Sequence, residues 1–503
     1  MVVARAPSTY RPRDAEHSVL HTVIREHLDL FLREVSDRGD GGGLPRFVEQ
    51  EFREFLTCGV LAHGFARVRC ERCTFERLVP FSCKGRGFCP SCGGRRMTER
   101  AAHLVDEVLP PVPVRQWVLT LPYRLRYLLA WDHGLSRAVL AVYVRVLLEF
   151  YRRQARSRGV PEGRTGALTV IQRFGSALNV NVHFHTIAFD GLFSRSAGVG
   201  LEFHPAAPPS DAEVAQVLHT IRRRVRRLLR RRGLEPADEG TGAGDPLAEA
   251  SGALAGIVGA SVQGRVALGP RAGARVRRLG EGLAPSAGSR GPRQAHLEGF
   301  DLHANVWVGA NDRARLEQVC RYVLRPPLAE DRLRRLGDGR VRVELKGAWR
   351  DGTTHLLFEP LELLEKLAAL TPRPQLNLVL YHGVLAPHAR WRPDVVAYQR
   401  ARSSRATDPN ATTTGAGAGA EPASEKPRYW TWAALMRRAF DIDVLRCPHC
   451  AGRMRLIATI EDPAVIARIL AHLGLSGSRD GPGPAPPSAA PPAEQHALPH
   501  AII

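Results

Sequence analysis

Cys70-x2-Cys73, fifteen residues, then Cys89-x2-Cys92 is the pattern that most limits how this chain can fold. Each CxxC turn sets two sulfurs on one side of a tight loop, and two such turns complete a tetrahedron of thiolates around zinc. Small folds of this kind depend on the ion for stability. The spacing therefore predicts a zinc module over 58–105, with Cys70, Cys73, Cys89 and Cys92 holding a structural Zn2+. Cys58 and Cys83 are surplus, either alternative ligands or buried free thiols. Cys447-x2-Cys450 is half a site: a plain tight turn, or part of a second zinc site shared with His449, His472 or another subunit.

Reading cysteines as ligands rather than disulfides presumes a reducing compartment. The opening MVVARAPSTYRPRD has no apolar signal core, and no apolar run reaches the roughly 18 residues that a membrane span needs. A cytoplasmic, nucleoid-associated protein with no membrane partner is expected. The charge fits, since 71 Lys+Arg against 50 Asp+Glu gives +21 over 503 residues, which favours a polyanionic partner. Only Lys84, Lys346, Lys366 and Lys426 among those cations are lysine. GC-rich codons alone could produce that skew, although the guanidinium fork also suits phosphate.

Along the chain, residues 1–57 read as helical and residues 110–232 as the first part of a larger domain. That part has strands near 114, 167–174 and 178–190 and helices at 136–153 and 211–232. Residues 233–298, rich in Gly, Ala and Pro, read as a variable insertion with short ordered pieces. The second part, 299–400, is expected to hold a strand at 301–308, a helix at 312–324 stopped by Pro326, further strands at 340–346, 354–358 and 376–381, and a helix at 360–369. Residues 401–427 form a low-complexity linker, 428–475 a small module around CPHC, and 476–503 a tail too poor in apolar residues to order.

The segment 179–190 (NVNVHFHTIAFD) carries the most chemistry. Side chains alternate along a strand, so Asn179, Asn181, His183 and His185 share one face while Val180, Val182, Phe184 and Ala188 take the other. Two imidazoles at i and i+2 can converge on one divalent ion; two partly exposed histidines with satisfied hydrogen bonds are the plainer reading. The run 222–232 (RRRVRRLLRRR) puts eight arginines around a helix with an apolar stripe. Arg222, Arg223, Arg226, Arg227 and Arg230 there, with Arg321 and Arg325 further on, are the candidate DNA contacts.

Several blocks in fixed order carry a family resemblance: SCKGRGFCPSCGGRR (82–96), VRQWVLTLPYRLRYLLAWD (114–132), NVHFHTIAFDG (181–191), LHANVWV (302–308), DRARLEQVCRYVLRPPLAEDRL (312–333) and YHGVLAPHARWRP (381–393). The chain resembles rolling-circle transposases of the HUH nuclease superfamily, of the insertion-sequence-91 and common-region type. The resemblance implies an α+β fold: an HUH nuclease-like antiparallel sheet with flanking helices, preceded by the zinc module. It implies that His183 and His185 bind Mg2+ or Mn2+, that Tyr322 attacks DNA to leave a 5′-phosphotyrosine, and that the partners are single-stranded or hairpin element ends and target DNA. Gln318 stands where some relatives carry a second tyrosine.

The third metal ligand is open. His303 is the choice, and Asp190 falls on the wrong face unless a bulge intervenes. Homo-oligomerisation is also open. Competing readings are a non-catalytic zinc-dependent DNA-binding protein, an inactive transposase remnant, or a transposase using three carboxylates. No GxxxxGK[ST] loop is present, so strand exchange would draw on the covalent intermediate rather than on ATP.

Overall fold

The computed structural model describes residues 13–38, 42–196, 200–234, 245–280, 291–405 and 431–475. The amino-terminal unit comprises α1 (Val19–Arg38), α2 (Arg46–Thr57), β1 (Phe65–Cys70), β2 (Glu76–Pro80) and α3 (Pro90–His103). Next come β3 (Val114–Thr120), α4 (Tyr123–Trp131), α5 (His133–Arg156), β4 (Gly166–Phe174), β5 (Val180–Phe189), β6 (Gly191–Ser196), β7 (Gly200–Pro205) and α6 (Asp211–Arg231). They are followed by α7 (Pro246–Ala250), α8 (Gly252–Val262), β8 (Arg277–Gly280), β9 (Gln294–Leu297), β10 (Phe300–Val308) and α9 (Arg313–Leu324). The chain continues with β11 (Leu333–Arg335), β12 (Val341–Glu344), β13 (Thr353–Phe358), α10 (Pro360–Leu370), β14 (Val379–Gly383) and α11 (Arg392–Arg405). It closes with α12 (Trp432–Phe440), β15 (Met454–Ile460) and α13 (Pro463–His472).

The centre is a six-stranded sheet in the order β14-β4-β5-β3-β10-β9, antiparallel at every pairing. Its middle strand β5 is almost wholly buried, with helices over both faces. Trp117, Leu119, Val182 and Phe184 point into the larger core with α5, α6, α8 and α10. Val114, Val170, Ile187 and Phe189 point the other way, against α9 and the single π-helical turn Leu104–Val108. The fold is thus α+β with an antiparallel sheet, as expected.

Sequence rules explain the helices that frame this sheet. Ser210 caps α6, accepting from the Glu213 N–H while Glu213 reaches back to the Ser210 N–H. Val214, Val217, Leu218, Ile221, Val225 and Leu229 form its buried stripe, leaving arginines on the remaining circumference. Asp312 caps α9, whose buried residues Leu316, Val319, Cys320 and Val323 keep a helical period.

The short ordered pieces expected within 233–298 are built into the fold. Strand β9 pairs with β10 on the edge of the central sheet, and β8 joins a second antiparallel sheet, β11-β12-β13-β8. Helix α8 (GALAGIVGASV) buries the aliphatic residues Leu254, Ala255, Ile257, Val258 and Val262. Glu365 accepts from the Ala267 and Leu268 N–H groups, and Lys366 pairs with it at 2.7 Å, both fully buried. Residues 406–427 of the expected linker and the 476–503 tail lie outside the described residues, whereas 401–405 finish α11.

Candidate functional site

The sheet face beneath α9 carries the histidines. His183 and His185 are 8% and 3% exposed, and their Nε2 atoms lie 3.0 Å apart. Their hydrogen bonds form one consistent chain: the Gln116 amide nitrogen donates to His185 Nδ1 (2.8 Å), His185 Nε2 donates to His183 Nε2, and His183 Nδ1 donates to the Asn181 carbonyl (2.7 Å). Burial holds both rings neutral; the His183 value falls to about 4, and that of His185 lies well below the usual range. Neutral imidazoles offer lone pairs, as a metal ligand must. In that arrangement His183 Nε2 is the one lone pair facing the site, and it accepts from His185 Nε2–H. Turning the Gln116 amide so that its oxygen accepts from His185 Nδ1–H would release the second.

Amide oxygens complete the donor set. Gln172 sits directly across from His183 in the β4–β5 register, and its Nε2 donates to the Val323 and Tyr322 carbonyls (2.7 and 3.4 Å), closing the carboxyl end of α9. Its Oε1 is buried with no protein partner, as is Asn181 Oδ1, two residues before His183 on the same face. Two imidazoles beside two orphaned amide oxygens are a donor set that suits a borderline divalent cation such as Mn2+ or Zn2+ better than Mg2+.

His303, the expected third ligand, is not brought to the pair. It faces the same way but lies opposite Val118 on β10, with all of β3 between it and His185. Two strand spacings of about 4.8 Å separate them. Asp190 is committed elsewhere, held by the Arg115 guanidinium at 2.7 and 2.9 Å and by the Tyr151 hydroxyl at 3.1 Å on the opposite face.

Tyr322 stands over this face from the last turn of α9, 39% exposed, its ring edge-on to His185 with centroids 5.7 Å apart. The Arg325 guanidinium lies 4.6 Å from its ring centre and the Lys346 ammonium 5.1 Å. Gln318, one turn earlier on the same helix, is exposed.

The cysteines divide differently from the expectation. The site Cys70–Cys73–Cys89–Cys92 does not form, because β2 carries the chain about 16 Å from the tip of the β1–β2 hairpin before Cys83 is reached. Cys89 and Cys92 instead gather with Cys58 and Cys83, and Cys70 and Cys73 with Cys447 and Cys450. Within the first group the sulfur pairs 58–89, 58–92 and 83–92 are 3.6, 3.8 and 3.5 Å apart. Thiolates at about 2.3 Å from a tetrahedral zinc stand about 3.8 Å apart, so this spacing fits an ion and is far too long for disulfides. Glu51 braces the loop between these ligands, accepting from the Gly87 N–H at 2.7 Å.

Two family models match the chain. One, described as "Putative transposase", covers residues 166–392, which include the histidine strand and Tyr322. The other, a transposase zinc-binding domain of the insertion-sequence-91 type, covers residues 23–121 and so the whole first cysteine group. The chain belongs to the insertion-sequence-91 family of transposases. No curated protein and no solved structure matches it.

A transposase acts on DNA, and the zinc-binding domain together with the cysteine groups makes zinc a structural component of this one. The described residues contain no helix long and apolar enough to cross a membrane. The transposase's arginines fall on separate surfaces. Arg222 and Arg226 pair with Glu298, while Arg223, Arg227 and Arg230 are exposed along α6, across the sheet from Tyr322. Arg321 is tied to Glu317 at 2.5 Å, leaving Arg325 and Lys346 against the tyrosine ring. Gln116, Gln172 and Lys346 were not anticipated from the sequence. The two glutamines share the face of the histidines by strand parity, and Lys346 is one of only four lysines in an arginine-dominated chain.

Proposed function

We propose that this transposase cleaves and rejoins single-stranded DNA by a rolling-circle-like mechanism, with Tyr322 as nucleophile. The observation that carries the reading is the tyrosine set edge-on to His185 above a paired-histidine site with orphaned oxygen donors. His183, His185 and an amide oxygen of Gln172 or Asn181 would hold Mg2+ or Mn2+. When bound, the cation supplies charge that polarises the scissile phosphate and stabilises the developing transition state.

The remaining work falls to the chain. The sheet and α9 hold the phenol at fixed height over the phosphate position. Arg325 and Lys346 bind the phosphate oxygens beside the ring. Tyr322 Oη forms a bond to phosphorus as the P–O3′ bond breaks; the phenol gives up a proton and the departing 3′ oxygen takes one. The 5′-phosphotyrosine keeps the energy of the broken ester, and a 3′-OH of another strand reverses the step to complete joining. With Gln318 in place of a second tyrosine, one subunit holds one strand at a time. The substrates are the single-stranded or hairpin ends of a mobile element and its target, with α6 contacting a DNA backbone on the other side of the sheet.

Single-stranded oligonucleotides bearing element ends, incubated with Mn2+, test this. Cleavage to a free 3′-OH is expected for the wild type, with loss in Tyr322→Phe and in the His183→Ala/His185→Ala double variant. Binding without cleavage by the wild type would favour a non-catalytic DNA-binding protein. Cleavage that survives Tyr322→Phe would favour a carboxylate-based transposase.

A further inference from the structure

We propose that Cys70, Cys73, Cys447 and Cys450 bind a second zinc ion, which clasps the carboxy-terminal module onto the zinc domain and, through it, braces the tyrosine helix. The proposal rests on the cysteine geometry and not on the proposed reaction. Cys447 and Cys450 lie outside both family matches, and the second sulfur group joins residues more than 370 positions apart.

The two halves of the site are the same turn used twice. Cys70 N–H donates to the Phe75 carbonyl at 2.8 Å, and Cys447 N–H donates to the Gly452 carbonyl at 2.8 Å, five residues on in each case. The residue after each second cysteine takes the left-handed conformation, Thr74 at φ 61° and Ala451 at φ 59°. Such matched knuckles face their sulfurs toward a common point. Cys70 Sγ lies 3.5 Å from Cys450 Sγ, and Cys73 Sγ lies 3.6 Å from Cys447 Sγ, close to the edge of a zinc–thiolate tetrahedron. The Arg72 N–H donates to Cys70 Sγ at 3.4 Å, the kind of outer bond that steadies a thiolate ligand. A side chain on Gly452 would stand 3.1 Å from the Arg72 stem, so the two turns are packed as closely as backbone allows. Binding exchanges four thiol protons for one Zn2+, with no change of oxidation state.

The clasp fixes more than two loops. Strand β15 pairs with β1 from Phe65↔Ile460 to Cys70↔Met454, so the ion sits at the end of this ladder. Helix α12 then delivers Arg438 to Asp106 in the π-helical turn (2.5 and 3.0 Å) and to Glu317 on α9 (2.8 Å). Glu317 is five residues before Tyr322 and also holds Arg321. The carboxy-terminal module thus grips the tyrosine helix from behind.

Metal content of the full chain, measured by plasma mass spectrometry, tests the site. Two zinc ions per wild-type chain are expected, one in Cys447→Ser/Cys450→Ser, and two again in Cys450→His, which keeps a ligand. Because the double variant could misfold, the wild type substituted with Co2+ provides a second reading: two equivalents of tetrathiolate absorption are expected. One zinc per wild-type chain, two retained by the double variant, or Cys70–Cys450 and Cys73–Cys447 cross-links in place of metal would overturn the site. Hydrogen exchange tests the brace. Amides of 313–324 should exchange faster in Arg438→Ala and in Cys447→Ser/Cys450→Ser, and unchanged protection in both would overturn the coupling.

Discussion

At the scale of single residues, Gln116 decides whether two imidazole lone pairs are available or one. Its amide lies against His185 Nδ1, and the atom it presents there selects the tautomer. A carboxylate can only accept, so Gln116→Glu should lock His185 Nε2 as a ligand and tighten Mn2+ binding. Gln116→Leu should weaken it by about 10-fold or more. Calorimetric titration with Mn2+ checks both directions. Other histidines are half-buried, each with one ring nitrogen shut away from solvent. His133 and His382 fall to about 4 as burial disfavours the imidazolium, and each has a buried Nε2 without a partner. Between about pH 6.5 and 4 the unfolded chain binds more protons than the folded one, so stability falls as pH drops through that window. Melting temperatures should decline across it, and His382→Gln should make the decline shallower.

At the scale of elements, the zinc domain and the tyrosine helix approach most tightly where a glycine of α3 faces the end of α9. A methyl group at Gly93 on α3 would stand 2.7 Å from the Pro326 ring just past α9. Pro326 cannot swing aside, so Gly93→Val should displace the end of α9 and lower DNA cleavage at least several-fold while leaving the zinc content unchanged. Assays of cleavage and of bound metal on one preparation separate these effects. Elements with strong local signals were legible in the sequence. The capped α6, the period of α9 and the alternation of β5 all appear where residue pattern put them. Within 233–298 the individual pieces were hard to place because β8 and β9 are four-residue strands too short to show a period, the partner of β8 lies far off on β13, and α8 is apolar on all sides and has no stripe. The cysteine partition was hidden for a related reason. Spacing reports which sulfurs are neighbours in the chain, whereas the second group is completed by residues beyond position 440.

At the scale of the whole molecule, the +21 charge resolves into separate surfaces. The α6 arginines and the Arg325–Lys346 pair lie on opposite sides of the central sheet, so long DNA would have to wrap the domain to touch both. Replacing Arg223 and Arg227 by alanine should weaken DNA binding and reduce the slope of log K against log salt by roughly 0.7–0.9 per lost phosphate contact. Cleavage of saturating short oligonucleotides should be little changed. An effect on cleavage rate with no change in salt slope would place α6 in the reaction rather than in binding.

In the proposed mechanism Tyr322, above the His183–His185 pair, becomes covalently joined to DNA. Peptide mapping by mass spectrometry, after reaction of the full chain with a single-stranded element end and Mn2+, tests this most directly. A nucleotide adduct is expected on the peptide containing Tyr322, absent in Tyr322→Phe and reverting to free tyrosine when a 3′-OH strand is supplied. Cleaved DNA with no adduct, or an adduct on another residue, would contradict it.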